Sequence, residues 1–172
     1  RLNVRDRQAF LSDKLNLLRV FEEALRTGYL LHPDVMRLIS ANLGLIDNDM
    51  RNTPEARRIF LDLLLKHGNP ERALRRMNEL GILGAFIPEF QHIVAMMQFN
   101  MYHSYTVDEH TLRAVGVIGD IAAGRLVDDH PLAVSIMPLI EDREALFLAM
   151  LLHDTGKGGV GGQEKAGARS AR

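Results

Sequence analysis

Ala145-Leu146-Phe147-Leu148-Ala149-Met150-Leu151-Leu152-His153-Asp154-Thr155-Gly156-Lys157-Gly158 runs eight apolar residues straight into an adjacent His-Asp pair, with a Gly-Lys-Gly turn behind it. The run is far shorter than the ~20 apolar residues that a bilayer requires. Being apolar on all sides, it predicts a helix buried inside a domain. A charged Asp at the end of such a helix is costly to bury unless something pairs with it. A divalent ion is one such partner, since imidazole nitrogen and carboxylate oxygen both ligate Mn, Fe, Zn or Mg-type ions. Neighbouring residues on a helix point ~100° apart. His153 and Asp154 therefore reach one ion only where the helix ends, and Gly156 is placed to end it. The plain alternative is a helix C-terminus with a favourably placed His and a solvated Asp.

A second imidazole upstream raises the metal reading. Thr106-Val107-Asp108-Glu109 has the form of a capping box, with Thr106 accepting from the backbone and Glu109 bonding back. Val107, His110, Thr111, Ala114, Val115, Ile118, Ile121 and Ala122 then recur at helical spacing, which predicts His110 on the buried side near the helix start. Two buried imidazoles and a carboxylate from two packed helices make most of an octahedral or five-coordinate site. His110, His153 and Asp154 are thus the candidate metal ligands, against the alternative of a core His bonded to a carbonyl. Lys157 is placed to neutralise a phosphate, unless it is only a surface Lys at a helix end. Asp108 or Glu109 could orient water, although Glu109 is better explained as a cap. His103 lies outside the capping box and is an outer candidate only. Asp128-Asp129-His130-Pro131 reads as a capped loop starting a helix rather than as a metal cluster. The glycines at 158–162 are not a P-loop, because no strand precedes them and the motif order is absent.

With 172 residues, 47% of them apolar, the chain suits one domain or slightly more. A formal net charge of -1 gives no sign of a nucleic-acid or membrane partner. The absence of Cys excludes thiolate chemistry and a disulfide framework, and fits a reducing cytoplasm. No signal peptide or transmembrane segment is evident. Position 1 is not Met, and residues 163–172 read as a helix barely begun, so both ends look like cuts inside a longer protein.

The first half reads as Pro- and Gly-punctuated helices. Leu15, Leu18, Phe21, Ala24 and Leu25 form one stripe, closed by Gly28. Pro33 opens a second helix, and Asp47-Asn48-Asp49 reads as a turn. Thr53-Pro54-Glu55 and Asn69-Pro70-Glu71 are start signals, with Gly68 and Gly81 as stops. Residues 82–90 predict a short helix or an irregular packed segment. Nothing predicts strands, so the fold class is all-α. His32, His67 and His92 stand alone and read as caps, surface or packed residues. Arg57-Arg58 and Arg72, Arg75, Arg76 read as solvated helix faces.

His110, then His153-Asp154 with Gly156-Lys157, resembles the HD-domain metal-dependent phosphohydrolases, an all-helical family. Asp13 to Phe21, Phe86-Ile87-Pro88-Glu89-Phe90, Met97-Gln98-Phe99 and above all Tyr102-His103-Ser104-Tyr105-Thr106-Val107-Asp108-Glu109-His110-Thr111-Leu112 narrow the resemblance to the bifunctional PII uridylyltransferase/uridylyl-removing enzymes. It extends over nearly the whole chain. It implies a helical linker region over residues 1–90 and the N-terminal part of an incomplete HD-domain bundle over residues 91–172. The nucleotidyltransferase and ACT domains of such proteins would lie outside this chain. It implies a metal-dependent phosphodiester hydrolase that converts uridylylated PII to PII and UMP with Mn or Mg. By carry-over His110 is the first ligand and His153 and Asp154 are the pair, with Asp154 and Lys157 in catalytic roles. The family's later Asp has no counterpart here, so the chain alone is expected to be weak or inactive. Gln163 stands where many relatives carry a His. A phosphohydrolase of small nucleotides and a non-catalytic helical scaffold are the competing expectations.

Overall fold

The computed structural model describes residues 1–97 and 105–157. Among these residues the regular structure is helical, and the one strand-like feature is an isolated bridge between Leu2 and Leu31. The chain opens with α1 (Arg7–Ser12), which the sequence did not announce; Asp6 caps it by accepting from the Ala9 N–H at 3.0 Å. Helix α2 (Asn16–Thr27) ends at Gly28, whose φ of 72° closes it in a left-handed turn. Helix α3 (Pro33–Ser40) starts at the expected Pro, with His32 Nδ1 accepting from the Asp34 N–H at 3.2 Å. The expected turn at Asp47-Asn48-Asp49 is instead the start of α4 (Asn48–Asn52). Asp47 accepts from the Met50 N–H at 2.9 Å, and Met50 buries its side chain, which turns a polar cluster into a short helix.

Helix α5 (Pro54–Leu65) starts as predicted, with Thr53 Oγ1 accepting from the Ala56 N–H at 3.2 Å. Helix α6 (Glu71–Glu79) follows, then α7 (Ile82–Phe86) and α8 (Pro88–Gln91). The second half holds α9 (Val107–Ala122), α10 (Pro131–Ile136) and α11 (Arg143–Leu152). None of the described helices is long and apolar enough to cross a membrane.

The stripes read from the sequence meet in one core. Leu17, Leu18 and Phe21 of α2 face Ile59, Phe60, Leu63 and Leu64 of α5, with Leu74 and Met77 of α6 beside them. The Phe60 and Phe86 rings pack at 5.2 Å. The cluster continues into α9 and α11 through Leu112, Val115, Phe147 and Leu151.

Helix α9 lies along α6, and this contact positions the site. A Cβ on Gly116 would collide with the Glu71 side chain, and one on Gly119 would come within 3.2 Å of Pro70 Cδ. Glycine at these two positions lets the helices approach closely. Asn69 fastens the far end, donating to the Gly116 carbonyl at 3.0 Å and to Asp120 at 2.9 Å.

Helix α11 departs from its expectation of burial on all sides. It buries Phe147 and Leu151 against α9 and α5, while Ala145 and Ala149 are exposed and Leu146, Leu148 and Met150 are half-covered. Two neighbouring helices cover one stripe of a cylinder, not its circumference.

Candidate metal centre

Helix α11 stops at Leu152, ahead of the His-Asp pair rather than at Gly156. Residues 153–157 continue as tight turns. The Thr155 N–H and hydroxyl both donate to the Leu152 carbonyl, at 3.1 and 2.7 Å, and the Lys157 N–H donates to the Asp154 carbonyl at 2.9 Å. This tightening brings two adjacent side chains to one place. His153 Nδ1 lies 2.6 Å from the Met150 carbonyl, so that nitrogen donates and Nε2 is the ring atom presented to the site. Nε2 stands 3.2 Å from Asp154 Oδ2.

Asp154 is 2% exposed and has a charged partner. Lys157 Nζ lies 2.8 Å from its Oδ2, and the Lys157 side chain is itself only 12% exposed. Lys157 is therefore an inward-facing cation held against the carboxylate, not a surface lysine.

His110 comes from the first turns of α9. Its ligand atom, one from His153 and one from Asp154 all lie within 4.8 Å of one another. Two ligands on one ion with bonds of ~2.1 Å stand about 3–4 Å apart, so the triad has nearly the required spacing. The His110 and His153 rings sit 6.1 Å apart, edge to face.

Both imidazoles are exposed, and only the carboxylate is buried. That corrects the expectation that His110 and His153 are interior. On α9 the buried arc runs through Val107, Asp108, Thr111, Leu112, Val115 and Ile118. At ~100° per residue His110 stands about 60° beyond its edge. The group thus opens to solvent on its imidazole side.

The expected capping box does not form. Thr106 is the N-cap residue by backbone, its carbonyl accepting from the His110 N–H at 2.9 Å, but its side chain makes no capping bond. Glu109 turns away to pair with Arg75 of α6, which also holds Glu71 at 2.7 Å. Arg75 is thus a bridge between helices, not part of a solvated face.

Asp108 points inward as well, which removes it from any water-orienting role. It is 6% exposed and accepts from Asn78 Nδ2 of α6 at 2.9 Å. Burial pushes its carboxyl up. The hydrogen bond from Asn78, with the nearby polar groups of Thr106, Ala95 and Glu109, outweighs that and holds it below the usual carboxylate range. Ala95 sits at a φ of 55°, and the Val107 N–H donates to the Met96 carbonyl at 2.9 Å, which ties the start of α9 to the end of the preceding described segment.

Arg113, one turn beyond His110, was not singled out by the sequence reading. It is exposed on the same side of α9 as His110 and Val117. Its guanidinium lies 5.0 Å from the Tyr105 ring centroid, and Nη1 donates to the Tyr105 hydroxyl at 3.0 Å.

The remaining candidates fall elsewhere. His32 caps α3, His67 pairs with Glu22 at 3.2 Å, and His92 ends α8. Asp128, Asp129 and His130 are exposed and form no metal-binding group among the described residues. His103, Gln163 and the glycines at 158–162 lie outside the described residues.

A family model described as the uridylyltransferase GlnD third domain matches residues 1–86. The whole chain is similar to the bifunctional uridylyltransferase/uridylyl-removing enzymes of Ruegeria pomeroyi, at 66% identity, and Caulobacter vibrioides, at 67%. The corresponding enzyme of Cereibacter sphaeroides is 59% identical over the same 172 residues. The chain spans 19% of the first of these relatives and 18% of the other two. No solved structure matches it.

Proposed function

Because the chain belongs to the uridylyltransferase GlnD family, with that family's third domain over residues 1–86, we propose that its second half contributes a hydrolytic centre that removes UMP from uridylylated PII. In this reading residues 1–90 are the helical linker region and residues 91–172 the first part of an HD-type domain. The observation that carries it is the convergence of His110, His153 and Asp154, from two different helices, within 4.8 Å. Two imidazoles and a carboxylate suit a divalent ion such as manganese or magnesium.

Such an ion would make water a stronger nucleophile at neutral pH and screen charge on the phosphoryl oxygens. The chain's own residues do the rest. The Met150 carbonyl fixes the His153 tautomer and ring direction, as an outer hydrogen bond does for a ligating imidazole. Lys157 holds Asp154 in place and offsets its buried charge. In the balanced reaction a water oxygen bonds to phosphorus and the bond from phosphorus to the PII oxygen breaks. That oxygen recovers a proton, and UMP departs.

His153→Ala and Asp154→Ala in the intact protein test the assignment. Each is expected to abolish release of UMP from uridylylated PII while sparing UMP addition. Unchanged release by either variant would eliminate the reading. Metal binding is checked by melting with and without Mn, since a ligand that binds only the folded state at 100 times its Kd stabilises by about 2.7 kcal/mol. No Mn-dependent rise in Tm would count against the ligand set.

A further inference from the structure

The geometry points to Arg113, braced by Tyr105, as the side chain that binds the non-bridging phosphate oxygens of the substrate beside the candidate metal centre. The inference rests on the hydrolytic reading above and extends it to a residue outside the metal ligands.

Three observations carry it. The first is position. On a helix, residue i+3 neighbours residue i, and long side chains lean back toward the N-terminus. Arg113 reaches back from its place on α9 to the Tyr105 hydroxyl ahead of the helix, along the exposed side that also carries His110. Its guanidinium is therefore drawn toward the N-terminal end of α9, the end that also carries His110.

The second is charge. The ordinary helix partner for an Arg at this position is the Glu four residues earlier. Here that residue is Glu109, and it is turned to Arg75 across the seam with α6. Among the described residues no carboxylate pairs with Arg113, and the side chain stands exposed to solvent, where an anion can reach it.

The third is order. A long exposed arginine ordinarily loses considerable rotamer freedom on binding an anion. Tyr105 removes much of that cost, because its ring lies under the guanidinium and its hydroxyl accepts one N–H. The remaining N–H donors of the planar fork match the spacing of two phosphate oxygens. Sequence periodicity gives no such signal, because an exposed Arg on a helix looks the same whether or not its usual partner is occupied.

The test is steady-state release of UMP from uridylylated PII by the intact protein, alongside Mn affinity by electron paramagnetic resonance and melting without metal. Arg113→Met is expected to lower kcat/KM about 100-fold, a size typical of losing one donor to a developing charge. Arg113→Lys should recover part of the loss, since charge without the fork retains part of the function. Tyr105→Leu should cost about tenfold through lost bracing. Because both side chains are exposed, Mn affinity and Tm should stay at the unsubstituted values. Two results overturn the inference alone: an Arg113→Met enzyme with full kcat/KM, or a loss of activity matched by an equal loss of Mn affinity. Failure of the unsubstituted protein to release UMP in an Mn-dependent way removes the parent reading, and this one with it.

Discussion

Two leucine-rich helices of this protein have opposite fates. Helix α5 buries Ala56, Ile59, Phe60, Leu63 and Leu64 and turns Arg57 and Arg58 to water. Helix α11 is more apolar along its length yet buries only Phe147 and Leu151. The difference lies in what surrounds them. Helix α5 is enclosed by α2, α4 and α11, whereas α11 has α9 and α5 along one stripe. A helix with charges on one side declares which way it faces. A helix without them declares only that it wants cover, and the described residues supply half of it.

The largest test of that contrast is a pair of truncations. Leu63 is fully buried in α5, so Leu63→Ala should cost about 2–5 kcal/mol in denaturant unfolding. Leu148 of α11 is half-buried, and Leu148→Ala should cost about 1 kcal/mol, because less apolar surface returns to water. Equal costs would mean that α11 is as enclosed in solution as α5, and the comparison would fail.

The seam between α6 and α9 joins the two regions and gives the next effect. Arg75 holds Glu71 and Glu109 together in a half-buried setting. Arg75→Met leaves both carboxylates without that partner and should cost about 1–2 kcal/mol, toward the lower end for hydrogen bonds to charged groups. It should also free Glu109 to swing onto Arg113, its neighbour one turn on, and so lower UMP release without changing Mn affinity. Full activity in a destabilised Arg75→Met protein would separate the seam from the site.

How far the sequence could be read follows from the same contrast. The starts at Pro33, Thr53-Pro54 and Pro131, and the left-handed closures at Gly28 and Gly81, were legible because capping chemistry is local. The convergence of His110, His153 and Asp154 was legible as a set of ligand types, and the structure brings those three together. Their exposure was not. Reading His110 as interior assumed that any residue three places along from Val107 shares its face, whereas the buried arc turns the other way, through Thr111 and Leu112. The capping box failed for a different reason. Thr106 and Glu109 have the right identities, but Arg75 of α6 takes Glu109, and that partner comes from tertiary packing. Asp47 shows the converse, since a polar cluster that reads as a turn caps a helix once Met50 has a core to enter.

A smaller effect is expected in acid. The Lys66 ammonium, joined by Arg58, holds the Asp62 carboxyl of α5 below its ordinary value of 3.8 although burial pushes it up. A carboxyl depressed by folding contributes stability that is fully present above the unfolded value and lost as pH falls through the folded one. The contribution of Asp62 should therefore be intact at pH 6 and disappear below about pH 3.8. Both partners are largely exposed, which limits it to about 0.5–1 kcal/mol. Asp62→Asn should flatten this part of the acid limb in urea titrations taken from pH 6 to pH 2.5. An unchanged limb would show that the pair adds nothing to the enclosed half.

The smallest effect belongs to the open half and is the control for the first. Leu132 of α10 and Leu139 just beyond it are 73% and 76% exposed. A side chain that is already in water gains nothing from folding, so replacing it removes no transfer free energy. Leu132→Ser and Leu139→Ser should each shift unfolding by no more than about 0.5 kcal/mol, the range of ordinary surface substitutions. A cost of about 2 kcal/mol at either position would mean that the side chain is covered in the folded protein by something the described residues do not provide. That outcome would extend the argument from α11 to α10, because both helices would then be apolar for the same reason.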